Sequence, residues 1–134
     1  MTLIYQSEAY DLVMNISFGE DFELPEWIEF STYQKGLRKN VEIAVLFDET
    51  VNDPHGADMA FIRYGPNAFV PKHLHTGYET VLVLKGDYIE NNKTFLPGSF
   101  ILRSPGTCHS MESKKGCLIL ASRYKPVKQL QGIM

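Results

Sequence analysis

Two cysteines and one tryptophan are all that this chain of 134 residues carries of those types. Cys108 and Cys117 cannot make a disulfide framework, and they lack the Cys-x2-Cys spacing of a sulfur-based metal site. A hairpin centred on Lys114-Lys115 would put Glu112, not Cys108, opposite Cys117, so reduced thiols in a cytoplasmic protein are expected. No apolar run approaches the length of a membrane span, and the start, Met1 to Tyr5, lacks the basic opening of a secretory signal before Glu8 and Asp11. There is no excess of basic charge either. The formal net charge is −3, and the densest basic runs are Lys35-Gly36-Leu37-Arg38-Lys39 and Lys114-Lys115, which excludes an electrostatic footprint for nucleic acid or an anionic membrane. Repeats, low-complexity tracts and linkers are also absent, so residues 1–134 are expected to form one domain.

What is present is a period of two. From residue 41 short apolar segments alternate with turn residues. Strands are expected over Val41–Phe47, Met59–Tyr64, Phe69–His75, Glu79–Leu84, Tyr88–Glu90, Thr94–Leu96, Ser99–Leu102, His109–Glu112 and Cys117–Tyr124. Gly65-Pro66-Asn67 should stop the second of these, and Pro71 should confine the early part of the third to a sheet edge or strand start. Many short strands with regular turn signals indicate an all-β antiparallel sandwich or barrel over 41–124. Residues 1–40 read as an N-terminal arm that wraps the sheet. Within it, residues 10–18 fit a short strand or a helical turn equally.

The chemistry concentrates in three histidines and one acid. His73 and His75 are two apart, so a strand would turn both to one face. Thr76-Gly77 offers a turn after which Glu79 can open the returning strand, and His109 follows a Pro105-Gly106 turn far downstream. Imidazoles with one carboxylate suit one divalent transition metal such as Fe, Zn, Mn, Ni or Co, and four ligands leave room for water or substrate. His55 sits in the Asp53-Pro54-His55-Gly56 turn and reads as a solvated loop residue.

These residues stand in an order that resembles the two cupin motifs. Gly65, His73-Leu74-His75, Glu79 and Gly86 match the first, with a longer gap than usual after Gly65. Gly98, Ser104-Pro105-Gly106, His109 and Ser113 match the second, with Ser104 in a proline slot and Ser113 in place of the final asparagine. The surrounding text, Glu79 to Tyr88, Leu96 to Phe100, Pro105 to His109 and Gly116 to Leu120, resembles the ChrR-like cupins. That group includes the cupin domain of a zinc anti-sigma factor and relatives of diketone-cleaving dioxygenases. The resemblance implies a cupin double-stranded β-helix, a jelly-roll barrel, with metal ligands His73, His75, Glu79 and His109.

Parity then gives an expected cavity. Met111 should face inward with His109, and Val81 and Val83 with Glu79, while Tyr88 and Phe100 are candidate walls. Arg103 can reach a substrate carboxylate, although a surface salt bridge is the simpler reading. Leu82 and Leu84 would then point outward and need cover from the arm or from a second subunit, so a homodimer is expected. The leading function is a metal-dependent enzyme on a small organic molecule, such as an Fe(II)-type dioxygenase cleaving a diketone or hydroxyketone. A sensor or ligand-binding cupin of the anti-sigma type is the alternative. It would lack the sigma-binding domain, since the chain has no His-x3-Cys-x2-Cys segment. A metal-free sugar isomerase ranks last, because such cupins lack the full ligand set.

Overall fold

The computed structural model describes residues 11–33 and 37–130. The expectations resting on Met1–Tyr5, Tyr10, Lys35 and Gly36 lie outside them. Ten strands follow one another among the described residues: β1 (Ser31–Thr32), β2 (Lys39–Asp48), β3 (Asp58–Leu74), β4 (Glu79–Gly86), β5 (Tyr88–Glu90), β6 (Lys93–Phe95), β7 (Phe100–Arg103), β8 (Cys108–Ser113), β9 (Cys117–Arg123) and β10 (Lys128–Gln129). All pair antiparallel. A 3-10 turn, Glu49–Val51, lies between β2 and β3, capped by the Asp48 side chain on the Thr50 N–H. The all-β architecture is as the alternation requires, and the sheet curls into a barrel.

The spine is β3, and here the structure corrects the sequence. In place of two strands broken at Gly65-Pro66-Asn67 there is one strand of 17 residues. The bend survives inside a strand because its polar groups find partners on β2 and just past the end of β8. Asn40 Nδ2 donates to the Pro66 carbonyl at 2.9 Å, and the Asn67 N–H donates to the Lys114 carbonyl at 3.1 Å. Asn67 takes the left-handed conformation, φ 60, which asparagine tolerates better than most residues. Pro71 falls at the register shift between Val70 and His73, where its missing donor costs no ladder bond.

The bend sends the two halves of β3 to different partners. Asp58–Tyr64 pairs with β9, whereas Ala68–Leu74 pairs with β8. The expected β8–β9 hairpin is therefore absent: the two strands follow one another along the same β3. Gly116, at φ 104, and Asp87, which accepts from the Ser113 hydroxyl at 2.8 Å, shape the step between them. Cys117 consequently lies opposite Tyr64 and Gly86 rather than Glu112, and both thiols are free. Likewise Glu79 opens β4, but β4 does not return along β3; it pairs with β9 and β7.

Two packed layers result. Inside the barrel, Val41, Tyr64, Val81, Val83, Met111 and Ile119 form one cluster. Outside it, Phe22 and Ile28 pack with Ala44, Leu46, Phe61, Leu84 and Leu118, joined by Leu12, Met14, Ile16 and Leu24. Residues 11–18 are neither strand nor helical turn but irregular chain laid over this face. Alternation does put Leu82 and Leu84 outward, and their cover comes from the arm of the same chain. That face by itself requires no second subunit. Among the described residues no helix is long and apolar enough to cross a membrane.

Candidate metal centre

The fold brings the three histidines together by two separate devices. His73 on β3 is the direct cross-strand partner of His109 on β8. His75 lies just past the end of β3, and the Pro105-Gly106 turn clamps it there. Its N–H donates to the Thr107 carbonyl and its own carbonyl accepts from the Gly106 N–H, each at 2.9 Å. Ring centroids stand 5.3 Å apart for His73 and His75, 4.5 Å for His73 and His109, and 4.6 Å for His75 and His109. Glu79 enters from β4, with Oε1 3.2 Å from His75 Nε2 and 4.0 Å from His109 Nε2. All four residues are buried.

Each imidazole is turned the same way. His73 Nδ1 lies 2.9 Å from the Pro71 carbonyl, to which it can only donate. His75 Nδ1 lies 2.8 Å from the Thr107 hydroxyl, which gives its own proton to the Ser104 carbonyl and so must accept from the ring. His109 Nδ1 lies 2.7 Å from Glu90 Oε1, an ion contact without hydrogen-bond geometry. His73 and His75 carry their protons on Nδ1, and with His109 in the same tautomer three Nε2 lone pairs converge; the ligating atoms of the trio lie within 4.8 Å of one another. His73 Nε2 and His109 Nε2 are 2.9 Å apart, and His75 Nε2 has no hydrogen-bond partner. Two lone pairs facing each other repel unless a cation sits between them. Nitrogens ~2.1 Å from a common ion stand roughly 3.0–3.4 Å apart, close to what is seen. The residues fit a metal ion.

Electrostatics agree with that fit. Burial, aided by the neighbouring imidazoles, lowers the His73 pKa to about 4, so its ring is neutral and able to ligate near neutral pH. Burial works against the Glu79 carboxylate, yet the contact with His75 and the nearby rings hold its pKa below the ordinary value. Glu90 shows the same balance: burial opposes its charge, and His109, the Tyr88 hydroxyl and Arg103 outweigh it.

Glu90 is the member that sequence reading missed. It is buried, accepts from the Tyr88 hydroxyl at 2.7 Å, is ion-paired with Arg103 and backs His109. The available signal was parity: Tyr88 and Glu90 share a face of β5, so an acid stood at an inward position.

A cavity of about 380 Å³ adjoins the site, with His73, Glu79 and His109 in its wall. Val81, Tyr88 and Met111 line it too, while Val83 is buried in the inner cluster without forming wall. Phe100, expected as a wall, is 65% exposed. The reason is register: β4 pairs Leu82 with Phe100 and Val81 with Ile101, so Ile101 faces inward and Phe100 shares the outer side with Leu82. Arg103 turns to the buried Glu90 and is neither a cavity residue nor a surface ion pair. Tyr33 and Arg38 of the arm, and Tyr64 of β3, line the cavity without having been foreseen.

Comparison with known proteins places this geometry. The ChrR Cupin-like domain family matches residues 26–126. No curated protein matches the chain in sequence. Among solved structures, the acetylacetone dioxygenase of Acinetobacter johnsonii is similar at a TM-score of 0.67 and 12% identity, over 88% of this chain and 83% of that one. The polyketide cyclase RemF of Streptomyces resistomycificus is similar at 0.65 and 18%, over 78% and 80%. A chain of the Rhodobacter sphaeroides complex of SigE with the anti-sigma ChrR is similar at 0.58 and 23%, over 73% of this chain and 49% of that one. At these identities the likeness is one of fold, the cupin jelly roll.

Proposed function

The chain belongs to the ChrR cupin-like domain family, and from that premise we propose that it is a metal-dependent enzyme acting on a small carbonyl compound. His73, His75 and His109 would hold one divalent transition metal, with Glu79 as the carboxylate at the same focus. The observation that carries this reading is the convergence of the three rings, their ligating atoms within 4.8 Å of one another and Nδ1 of His73 and His75 hydrogen-bonded away from that focus. A divalent ion there supplies Lewis acidity toward carbonyl and enolate oxygens, and iron adds redox chemistry with dioxygen.

The chain's own residues do the rest. Apolar walls such as Val81, Met111 and Ile119 keep water away from the reacting carbonyl and favour a weakly polar skeleton. Glu79, ionised and half enclosed by imidazoles, is placed to ligate or to accept the acidic carbon-bound proton of a 1,3-dicarbonyl on its free oxygen. Glu90 keeps His109 in the tautomer that leaves Nε2 unprotonated. A likeness in fold to an acetylacetone dioxygenase makes oxygenative cleavage of diketones or hydroxyketones the first chemistry to assay.

Elemental analysis of untagged protein purified without chelator, beside His109→Ala, tests the metal. Near one equivalent in the wild type and its loss in the variant are expected; no metal under any loading condition overturns the reading. Oxygen uptake by the iron-loaded chain with diketones tests the chemistry. A non-catalytic sensor is the second reading, favoured by the similarity to a chain of the SigE–ChrR complex, of which this chain spans about half. Binding of diketones without oxygen uptake would select it.

A further inference from the structure

Tyr64 is a buried phenol whose hydroxyl has no protein partner. The residue is 6% exposed and belongs to the inner cluster of the barrel. Among the described residues its hydroxyl makes no hydrogen bond, yet it is not one of the polar atoms sealed from open space. The open space it meets is the cavity of the metal centre, in whose wall it stands. Its ring lies 6.4 Å from that of Tyr88, another residue of that wall. Burial raises the phenol pKa most; Cys117, its register partner, Arg38, Glu79 and Tyr33 also act on it, and the last three line the same cavity. Tyr64 borders a groove outside the barrel as well, beside Lys85, Asp87 and Lys115, but the charges that act most on its hydroxyl are those of the inner cavity.

Other polar side chains of this wall are already engaged. Tyr88 gives its proton to Glu90, Arg123 is paired through Nε and Nη2 with Asp58, and the Thr50 hydroxyl donates to Asp48. Tyr33 is only partly buried, so water can serve its hydroxyl. Tyr64 differs from all of these. A hydroxyl taken out of water with nothing in return is costly to bury, and such exceptions in native proteins mark groups that serve something other than packing. With its pKa raised, the phenol keeps its proton over the working range of pH, so it is a donor and not a base.

We propose that Tyr64 donates its hydroxyl to an oxygen of the ligand that the cavity takes, and so selects carbonyl compounds over apolar molecules of the same shape. That the oxygen belongs to a carbonyl rests on the function proposed above; that a donor faces the cavity stands on Tyr64 alone. The cluster around it, Val81, Val83, Met111 and Ile119, is apolar and offers an oxygen no other bond. In such surroundings a hydrogen bond is stronger than in water. A ligand that sets carbon against the hydroxyl leaves it unpaired and is rejected for that reason.

A matched pair of ligands tests this. Cyclohexanone and methylenecyclohexane share a ring and differ in an oxygen against a methylene. Both are titrated into the full chain stripped of metal by a chelator, so that no ion competes for the oxygen, and followed by ligand-observed NMR. Tyr64→Phe should cut the ketone-to-alkene affinity ratio about three- to tenfold, the range of one neutral hydrogen bond, with the alkene's affinity unchanged. Because the lost hydroxyl has no partner in the protein alone, the urea midpoint should hold or rise. Tyr88→Phe, which removes a bond to Glu90, should instead lower the midpoint and leave the ratio as it was. Tyr64→Leu, read by the ratio alone, substitutes should the phenylalanine variant not fold. A ratio that survives Tyr64→Phe, an equal loss for both ligands, or no binding of either by the wild type overturns the proposal. Metal is absent throughout, so failure here leaves the metal centre standing, and a chain that never takes up metal leaves this donor standing.

Discussion

His109 Nδ1 lies 2.7 Å from Glu90 Oε1, and that carboxylate, 1% exposed, is held in turn by Tyr88 and Arg103. A buried charge is tolerated only when its partners are present, so Glu90 is not an incidental neighbour. Its oxygen faces Nδ1 of His109 and so favours the tautomer that leaves Nε2 unprotonated. Glu90→Gln preserves shape but removes charge; Glu90→Ala removes both. Affinity for zinc or cobalt should fall by roughly 10–100-fold in the alanine variant and by less in the glutamine one. Competition with a chromogenic chelator reads the affinity, and the ligand-field absorption of bound cobalt shows whether the site's geometry follows. Unchanged affinity in Glu90→Ala would mean that His109 needs no backing.

Much of this site was legible because its grammar is local. His73 and His75 sit two apart and the Pro105-Gly106 turn precedes His109, so the sequence itself carries much of the placement of the three histidines. The strands were legible for the same reason, and Asn91 and Asn92, at φ 49 and 64, turn the hairpin between the two strands expected there. What failed depends on register between distant strands. Phe100 faces out because its partner is Leu82, and no alternation within β7 alone can say which parity is inward. β3 runs through Gly65-Pro66-Asn67 because Asn40 and Lys114, far away in sequence, satisfy its bend. Tyr33 and Arg38 reach the cavity only because β1 pairs with β2.

The two thiols should separate cleanly in reactivity. Cys108 is exposed and Cys117 buried, and burial pushes the Cys117 thiol up to about 12, so almost none of it is thiolate at pH 8. Iodoacetamide at that pH should label Cys108 in the native protein and both cysteines only after denaturation. Peptide mass spectrometry distinguishes them. Rapid native labelling of Cys117 would show that the β8–β9 step opens readily.

The arm should carry measurable stability. Phe22 is 4% exposed and packs with Ile28 and Leu84 on the outer face of the barrel. Phe22→Ala opens a cavity between arm and sheet, and the expected loss is about 3–5 kcal/mol. Urea unfolding of the variant measures it. A loss under ~1 kcal/mol, the scale of a surface change, would mean that residues 11–30 dock weakly and that Leu84 relies on other cover.

Alkaline pH should destabilise the barrel from within. Burial raises the phenol pKa of Tyr64 and of Tyr88 well above the ordinary value, whereas the unfolded chain ionises them near ~10. Below that pH both states are protonated and the two groups contribute no pH dependence. Above it the unfolded state sheds protons that the folded state keeps. Fewer protons bound in the unfolded state make the slope of unfolding free energy against pH negative, by about 1.4 kcal/mol per pH unit for each phenol. The stability present below pH ~10 is therefore lost as pH rises toward the folded pKa values. Urea midpoints measured at intervals from about pH 9 to 11.5 should fall along that slope, steepened by the buried Cys117 thiol with its pKa of about 12, with tyrosinate absorbance from Tyr64 and Tyr88 appearing only in the unfolding transition. Tyr88→Phe should remove one group's share of the slope while Tyr64 keeps the other. A wild-type slope near zero would require both phenols to ionise in place, and so a wetter barrel interior than this packing allows.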